Sequence, residues 1–132
     1  MNTQLDLPKA LHDYIKKSGV ALALSAIRDD APLLVVNKAF CDMTGYSEDE
    51  VVGHNCRFLQ GPDTTDSARQ PLHDFVHGDG GDSGRFPILN YRKDGSAFHN
   101  YVFMSRLKDT RGQPQFILAS QFDMTTALKR SQ

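Results

Sequence analysis

Three runs near the C-terminal end decide the fold. They are Arg85-Phe86-Pro87-Ile88-Leu89-Asn90-Tyr91; Ala97 to Leu107, which contains Phe98-His99-Asn100-Tyr101-Val102-Phe103-Met104; and Gln115-Phe116-Ile117-Leu118-Ala119-Ser120-Gln121-Phe122. Lys93-Asp94-Gly95 separates the first two and Asp109 to Gly112 the last two, both turn signals between β-prone segments. The reading is an antiparallel meander. Alternate side chains of a strand share a face. Phe86, Ile88 and Asn90 therefore stand together, as do Phe98, Asn100, Val102 and Met104, and likewise Ile117, Ala119 and Gln121. If these apolar faces look inward, three amides converge in one interior. A buried amide is costly unless paired, and each offers both a donor and an acceptor. Three together suit a flat heterocycle with N–H and C=O groups alternating along one edge. The competing reading is that they end strands or bond nearby backbone, and periodicity leaves both open.

Upstream, the pattern changes to short elements. Leu7 to Lys17 reads as an amphipathic helix, with Leu11, Tyr14 and Ile15 at helical spacing and Pro8 at its start. Val20 to Ile27 and Pro32 to Val36 read as strands. Asn37 to Met43 is helical, Ser47 and Glu50 form a capping box for a second short helix, and Asn55 to Leu59 is one more turn. Thr64 or Thr65 caps a helix running to Val76, with Pro71 restricting its first turn. Gly78 to Gly84 is a glycine-rich loop. Two strands, several short helices and a three-strand meander make an α+β domain with one antiparallel sheet and short helices on one face.

The bulk composition restricts function. At 132 residues, with 39% hydrophobic and 23% charged residues, the chain fits one folded domain. Its net charge of -1 gives no electrostatic drive toward nucleic acid or an anionic membrane. The apolar stretch Gly19 to Ile27 is far short of the roughly 20 residues of a membrane span, and the N-terminus lacks a signal-peptide core. A cytoplasmic protein is expected. Cys41 and Cys56 share no metal-binding spacing, and no metal site is expected. No phosphate-binding loop, kinase motif set or catalytic triad is found, so the chain is not expected to be an enzyme. On spacing alone Cys56 is more readily a packed thiol than a reactive one. Gln60 lies four residues on, on the same face, while Arg57 points elsewhere, toward a phosphate or a carboxylate.

The run Gly53-His54-Asn55-Cys56-Arg57-Phe58-Leu59-Gln60-Gly61-Pro62 adds more. It resembles the signature of LOV (light-oxygen-voltage) photosensor domains at nine of ten positions. The likeness extends to Asn37-Lys38-Ala39-Phe40, Met43-Thr44-Gly45-Tyr46, Ile88 to Gly95, Phe98-His99-Asn100 and Gln121, covering roughly residues 20 to 124. The resemblance implies a PAS fold with a five-stranded antiparallel sheet, flanked by N- and C-terminal helices. It implies bound FMN, a flavin whose ring edge suits the amide set. It also implies a blue-light photoreceptor in which Cys56 reversibly bonds carbon C4a of the flavin while N5 gains a proton. By the same resemblance Asn55, Gln60, Asn90 and Asn100 contact the flavin, Arg57 holds its phosphate, and Gln121 reports the change at N5. Leu22, Leu24, Leu72, Val102, Met104, Ile117 and Ala119 would line the rest of the pocket.

There are departures from the signature. His54 stands where it has Arg, and is read as a surface change. A second phosphate-binding arginine of many members falls here on His73, with Arg69 one turn earlier as a substitute. FAD and riboflavin therefore stay open beside FMN. The domain reading is residues 1–19 as a flanking helix, 20–124 as the flavin-binding core and 125–132 as the start of a C-terminal helix capped by Thr125 or Thr126. The chain reads as a bacterial short LOV protein or a sensor excised from a longer one. It is expected to pair as a homodimer through its flanking helices, with an unidentified downstream signalling partner and no direct contact with nucleic acid or membrane. Two alternatives stand beside this: a flavin-binding PAS redox sensor that does not use the cysteine, and a cofactor-free PAS interaction module.

Overall fold

The computed structural model describes residues 7–78 and 81–125. Its elements are α1 (Lys9–Lys17), β1 (Ala21–Ala26), β2 (Leu33–Val36), α2 (Lys38–Thr44), α3 (Glu48–Val51), a 3₁₀ turn (Cys56–Leu59), α4 (Asp66–Val76), β3 (Ser83–Tyr91), β4 (Ala97–Lys108) and β5 (Pro114–Asp123). The expected C-terminal helix, including a cap at Thr126, lies outside the described residues. The Thr125 hydroxyl is used otherwise: it accepts from the His99 N–H at 2.9 Å.

The strands form one sheet in the order β2-β1-β5-β4-β3, every neighbouring pair antiparallel. This is the α+β architecture that the pattern of elements implied, with the five-stranded antiparallel sheet that the resemblance implied. β1 and β5, far apart in sequence, lie side by side in the register Ala21↔Gln121 to Ala26↔Phe116. The faces follow the period-2 reading on the meander. Phe86, Ile88, Asn90, Phe98, Asn100, Val102, Met104, Ile117, Ala119 and Gln121 are all buried. Two apolar clusters fill this side. One joins Ala21, Ala23, Leu33, Val36, Phe40, Val51 and Leu59; the other joins Phe75, Phe86, Ile88, Val102, Met104, Ile117 and Ala119.

The opposite face of the sheet carries its own core. Ile15 of α1 packs with Leu22, Leu24, Val35 and Phe116, fringed by Leu7 and Leu11. This corrects the expectation for Leu22 and Leu24, which point away from the helices that follow β2. β1 is apolar on both faces, so its sequence does not say which face is which. The side chains turned toward those helices are Ala23 and Ser25.

Polar side chains fasten the pieces. Asn37 caps α2, its Oδ1 accepting from the N–H of Phe40 at 3.0 Å and of Leu22 at 3.1 Å. Its Nδ2 donates to the carbonyls of Ile15 (2.9 Å) and Val20 (2.8 Å), so one side chain joins the end of α1, the start of β1 and the start of α2. Lys16 donates to Val36 O at 2.8 Å and to Glu48 at 2.6 Å, holding α1 against β2 and α3. The capping box is realised where the Ser47 N–H donates to Glu50 Oε1 at 2.9 Å. Thr65, not Thr64, caps α4, its Oγ1 accepting from the Ala68 N–H at 3.2 Å. Pro71 sits in the second turn of α4 rather than limiting its start.

Candidate functional site

Between the inward face of the sheet, the 3₁₀ turn and α4 lies a cavity of about 380 Å³. Its deep wall is the amide set. Asn90, Asn100 and Gln121 come from β3, β4 and β5, and the strand registers pair Ile88 with Asn100 and Val102 with Gln121. Asn100 Nδ2 donates to Asn90 Oδ1 at 2.9 Å and to Gln121 Oε1 at 3.0 Å. Both its N–H groups are thereby used, while its Oδ1 is buried with no partner in the protein. A buried carbonyl left unmatched is uncommon and calls for a donor from within the cavity.

Cys56 opens the 3₁₀ turn and lines the same cavity. Removal from water pushes its thiol up to about 12, so it carries its proton at neutral pH. Cys41 packs instead at the edge of the α2 cluster, and burial followed by the nearby Glu48 charge raises its pKa also; both cysteines are free thiols. Gln60 ends the 3₁₀ turn and faces the cavity. The chain beside it runs very close to β3. A Cβ on Gly61 would come within 2.3 Å of the Tyr91 ring, so only glycine fits there.

The remaining expected residues divide. Leu72, Val102, Met104, Ile117 and Ala119 line the cavity; Leu22 and Leu24 do not. Asn55 lines it, but its amide serves the local fold. Its Oδ1 accepts from the Arg57 N–H at 2.8 Å and its Nδ2 donates to Asp30 O at 2.7 Å. At the mouth, Arg57 spends its guanidinium on a carboxylate rather than standing open. Its two Nη atoms each lie 2.6 Å from Asp30, which holds the Asp30 carboxyl down to about 2. Arg69 reaches back to Gly61 O at 3.0 Å, and its Nε is buried without a partner. His73 is exposed at the rim and stacks on His77 with ring centroids 4.2 Å apart.

Several lining residues escaped the sequence reading: Ala23, Ser25, Ala31, Val76 and His77 among them. One signal was present. Small residues alternate with leucines in Ala21-Leu22-Ala23-Leu24-Ser25, and the small side is the one that leaves room for a cavity. Among the described residues, no group of His, Cys, Asp and Glu is gathered so as to hold a metal ion. Nor is any described helix long and apolar enough to cross a membrane.

Residues 18–126 match the PAS domain family. The sequence is 38% identical over 99 residues to a blue-light-activated histidine kinase of Brucella anthropi, a match covering 75% of this chain and 20% of that protein. Among solved structures, the LOV domain of the Erythrobacter litoralis EL346 blue-light activated histidine kinase superposes with a TM-score of 0.76 at 38% identity. That match covers 83% of this chain and 99% of the other. This chain belongs to the LOV domains of the PAS family. A further similar structure, an RNA-binding light-oxygen-voltage receptor, aligns with a TM-score of 0.83 at 32% identity over 96% of this LOV domain and 35% of that receptor. The LOV domain thus spans about a fifth of the Brucella kinase and about a third of the RNA-binding receptor. In it, the ten-residue run at Gly53–Pro62 closes the cavity opposite the amide wall, with Asn55, Cys56, Arg57, Leu59 and Gln60 all lining it.

Proposed function

We propose that this LOV domain is a blue-light photoreceptor that holds a flavin in the cavity, with Cys56 as the photoreactive thiol and Gln121 as the residue that reads its reaction. The observation that carries this is the buried, unpartnered Asn100 Oδ1 in a wall of three amides lining the same cavity as a protonated cysteine. A ring N–H would satisfy that oxygen, and the flat apolar space between Ile117, Leu72 and Val102 suits an aromatic ring system. A flavin, when bound, would supply blue-light absorption, an electrophilic ring carbon in its excited state, and a neighbouring nitrogen that turns from acceptor to donor.

The protein's part follows from its own groups. Cys56 brings sulfur and proton together, because burial keeps the thiol un-ionised. Asn100 and Asn90 fix orientation. Gln121 is the mobile member: rotating its amide would set an NH₂ group against Asn100 Nδ2, and the 3.0 Å bond between them would be lost. The disturbance would fall on β5, whose end is pinned by Arg92 Nη2 on Asp123 Oδ2 at 2.5 Å and by the Met124 N–H on His99 O at 2.8 Å. From there it would pass to the segment after Thr125.

FMN is the flavin we assign, on the strength of Arg57 and Arg69 at the mouth; riboflavin and FAD are the alternatives. We place residues 20–124 as the sensing core and residues 1–19 and 125–132 as flanking segments. Tyr14, Val20, Phe103 and Phe122 are exposed (60%, 53%, 42% and 59%) on the outer side of the domain, which favours a second copy of the chain as partner. A net charge of -1 favours a protein partner over nucleic acid.

Purified protein tests the reading. A yellow sample that bleaches under blue light and recovers in darkness supports it. Stable colour without bleaching points to a redox sensor, and a colourless protein that takes up no added flavin leaves an interaction module. Light scattering in the dark and under illumination tests the dimer, which a monomer in both conditions would exclude.

A further inference from the structure

The rim of the cavity carries a charge arrangement that the assignment of a phosphate-binding arginine does not explain. Asp30 lies just outside the cavity, in the loop between β1 and β2. Its Oδ2 accepts from one Nη of Arg57 and its Oδ1 from the other, each at 2.6 Å, and the same Oδ1 is 3.4 Å from His77 Nε2. One carboxylate thus joins Arg57 on the 3₁₀ turn to His77 at the end of α4. Both of these residues line the mouth. Asp66, Arg69 and His73 of α4 line the same mouth, and Asp29 and His54 line the adjoining hollow that Asp30 and Arg57 share. Asp74 Oδ1 is 3.6 Å from His73 Nδ1, and Arg28 Nε is 3.9 Å from Asp29 Oδ2.

The position of Asp30 is built into the fold. Asp29, Asp30 and Ala31 have φ of 58°, 67° and 52°, three successive residues in the left-handed region, which non-glycine residues enter at a cost. The loop is held there by the Ala31 N–H on Arg28 O at 3.0 Å and by Asn55 Nδ2 on the backbone carbonyl of Asp30 at 2.7 Å. The carboxylate is therefore presented by a backbone fixed through other bonds.

Resting on the flavin reading above, we propose that Asp30 is a specificity-determining residue: its carboxylate is the resident counter-ion of the rim and competes with a flavin phosphate for Arg57. The forked Nη face that Asp30 occupies is the one that best matches a phosphate. A phosphate carries about -1.5 to -2 charges near neutral pH, and a fixed carboxylate on the same cation opposes it. The ion pair is half exposed, 51% and 52%, so it is weak enough to be exchanged rather than to exclude the phosphate. Riboflavin has no phosphate and is indifferent to Asp30. The ratio of FMN to riboflavin affinity is therefore set at this residue, more narrowly than the number of cations at the rim implies.

Asp30→Asn tests this with little disturbance, because asparagine tolerates the left-handed backbone and the bond from Asn55 is to the main chain. Riboflavin and FMN are titrated into apoprotein at low ionic strength, with affinity read from flavin fluorescence. The variant should bind FMN about three- to tenfold more tightly, with riboflavin unchanged within about twofold. The gain should shrink in an Arg57→Gln background, as expected if the two residues act on one phosphate. An equal change for both flavins, an unmoved ratio, or weaker FMN binding (Asp30 then orients Arg57 for the phosphate) overturns the proposal while leaving the flavin reading intact. Loss of all flavin binding in the variant alone likewise overturns only the proposal; failure of the wild-type protein to bind any flavin sinks both.

Discussion

The two ends of the cavity hold their polar groups in place by different physics. At the deep end, Asn90, Asn100 and Gln121 are short, neutral and buried, and they hydrogen-bond to one another across three strands. At the rim, Arg57, Asp30, His73 and His77 are longer or charged, exposed, and paired in water. The deep set is rigid because strand register fixes every Cβ and a missing partner is costly in a dry interior. The rim is exchangeable because exposed ion pairs contribute little and are screened by salt. On the proposed reading, orientation and signal reading belong to the deep end, and the choice of what hangs out of the mouth belongs to the rim.

The largest expected effect lies between the two, at Cys56. Cys56→Ala should abolish blue-light bleaching while keeping the colour, read by absorption before and after illumination. Loss of colour instead would make the thiol part of the binding wall rather than the reactive group. Next comes the deep end. Asn100→Leu strands two buried carbonyls, on Asn90 and Gln121, at about 1–3 kcal/mol each. Unfolding of the apoprotein in denaturant should register a loss in that range or above, and flavin affinity should fall at least about tenfold. Unchanged affinity would show that the amide wall is structural only.

The rim should yield smaller and more conditional changes. Arg57→Gln should weaken FMN by about tenfold at low salt, leave riboflavin unaffected, and lose most of its effect as salt is raised. A salt-independent loss for both flavins would place Arg57 with the deep set. The smallest effect is acid sensitivity. Asp30 is held at about 2, below its ordinary 3.8, so the ionised form is favoured by folding. Its contribution is present above about pH 4 and lost as pH falls toward 2. Asp30→Asn should remove that small contribution, lowering stability slightly at pH 7 and flattening the curve between about pH 4 and 2. A large change at pH 7 would mean that the carboxylate holds the loop itself.

The same contrast governs how much of the site was legible beforehand. Asn90, Asn100 and Gln121 fell on inward faces because a period of two is exact once a strand is recognised. Asn55, Cys56, Arg57 and Gln60 were carried by a ten-residue run that folds as one turn. Leu22 and Leu24 were misplaced because β1 is apolar on both sides, and a strand covered on both faces carries no alternation to read. Ala23 and Ser25, the residues that leave space for the cavity, stood next to them. Asn37 read as the first residue of a helix. Its fourfold role in tying α1, β1 and α2 depends on contacts from residues 15 to 22 that no local pattern announces.

By itself the sequence determined the order of elements, the alternation of the three C-terminal strands, the Ser47–Glu50 capping box and which amides share a face with apolar neighbours. All of these depend on neighbours a few positions apart. Only the tertiary structure decided that β1 and β5 lie side by side, which face of β1 meets the cavity, and that Asp30 reaches across to Arg57 and His77. Those arise where distant segments are brought together by burial of two separate cores, and a charge will pair with whatever opposite charge the packing leaves within reach. The deep end of the cavity could be foreseen and the rim could not, because a strand fixes where its side chains point, whereas the partner of an exposed charge is fixed only by the fold.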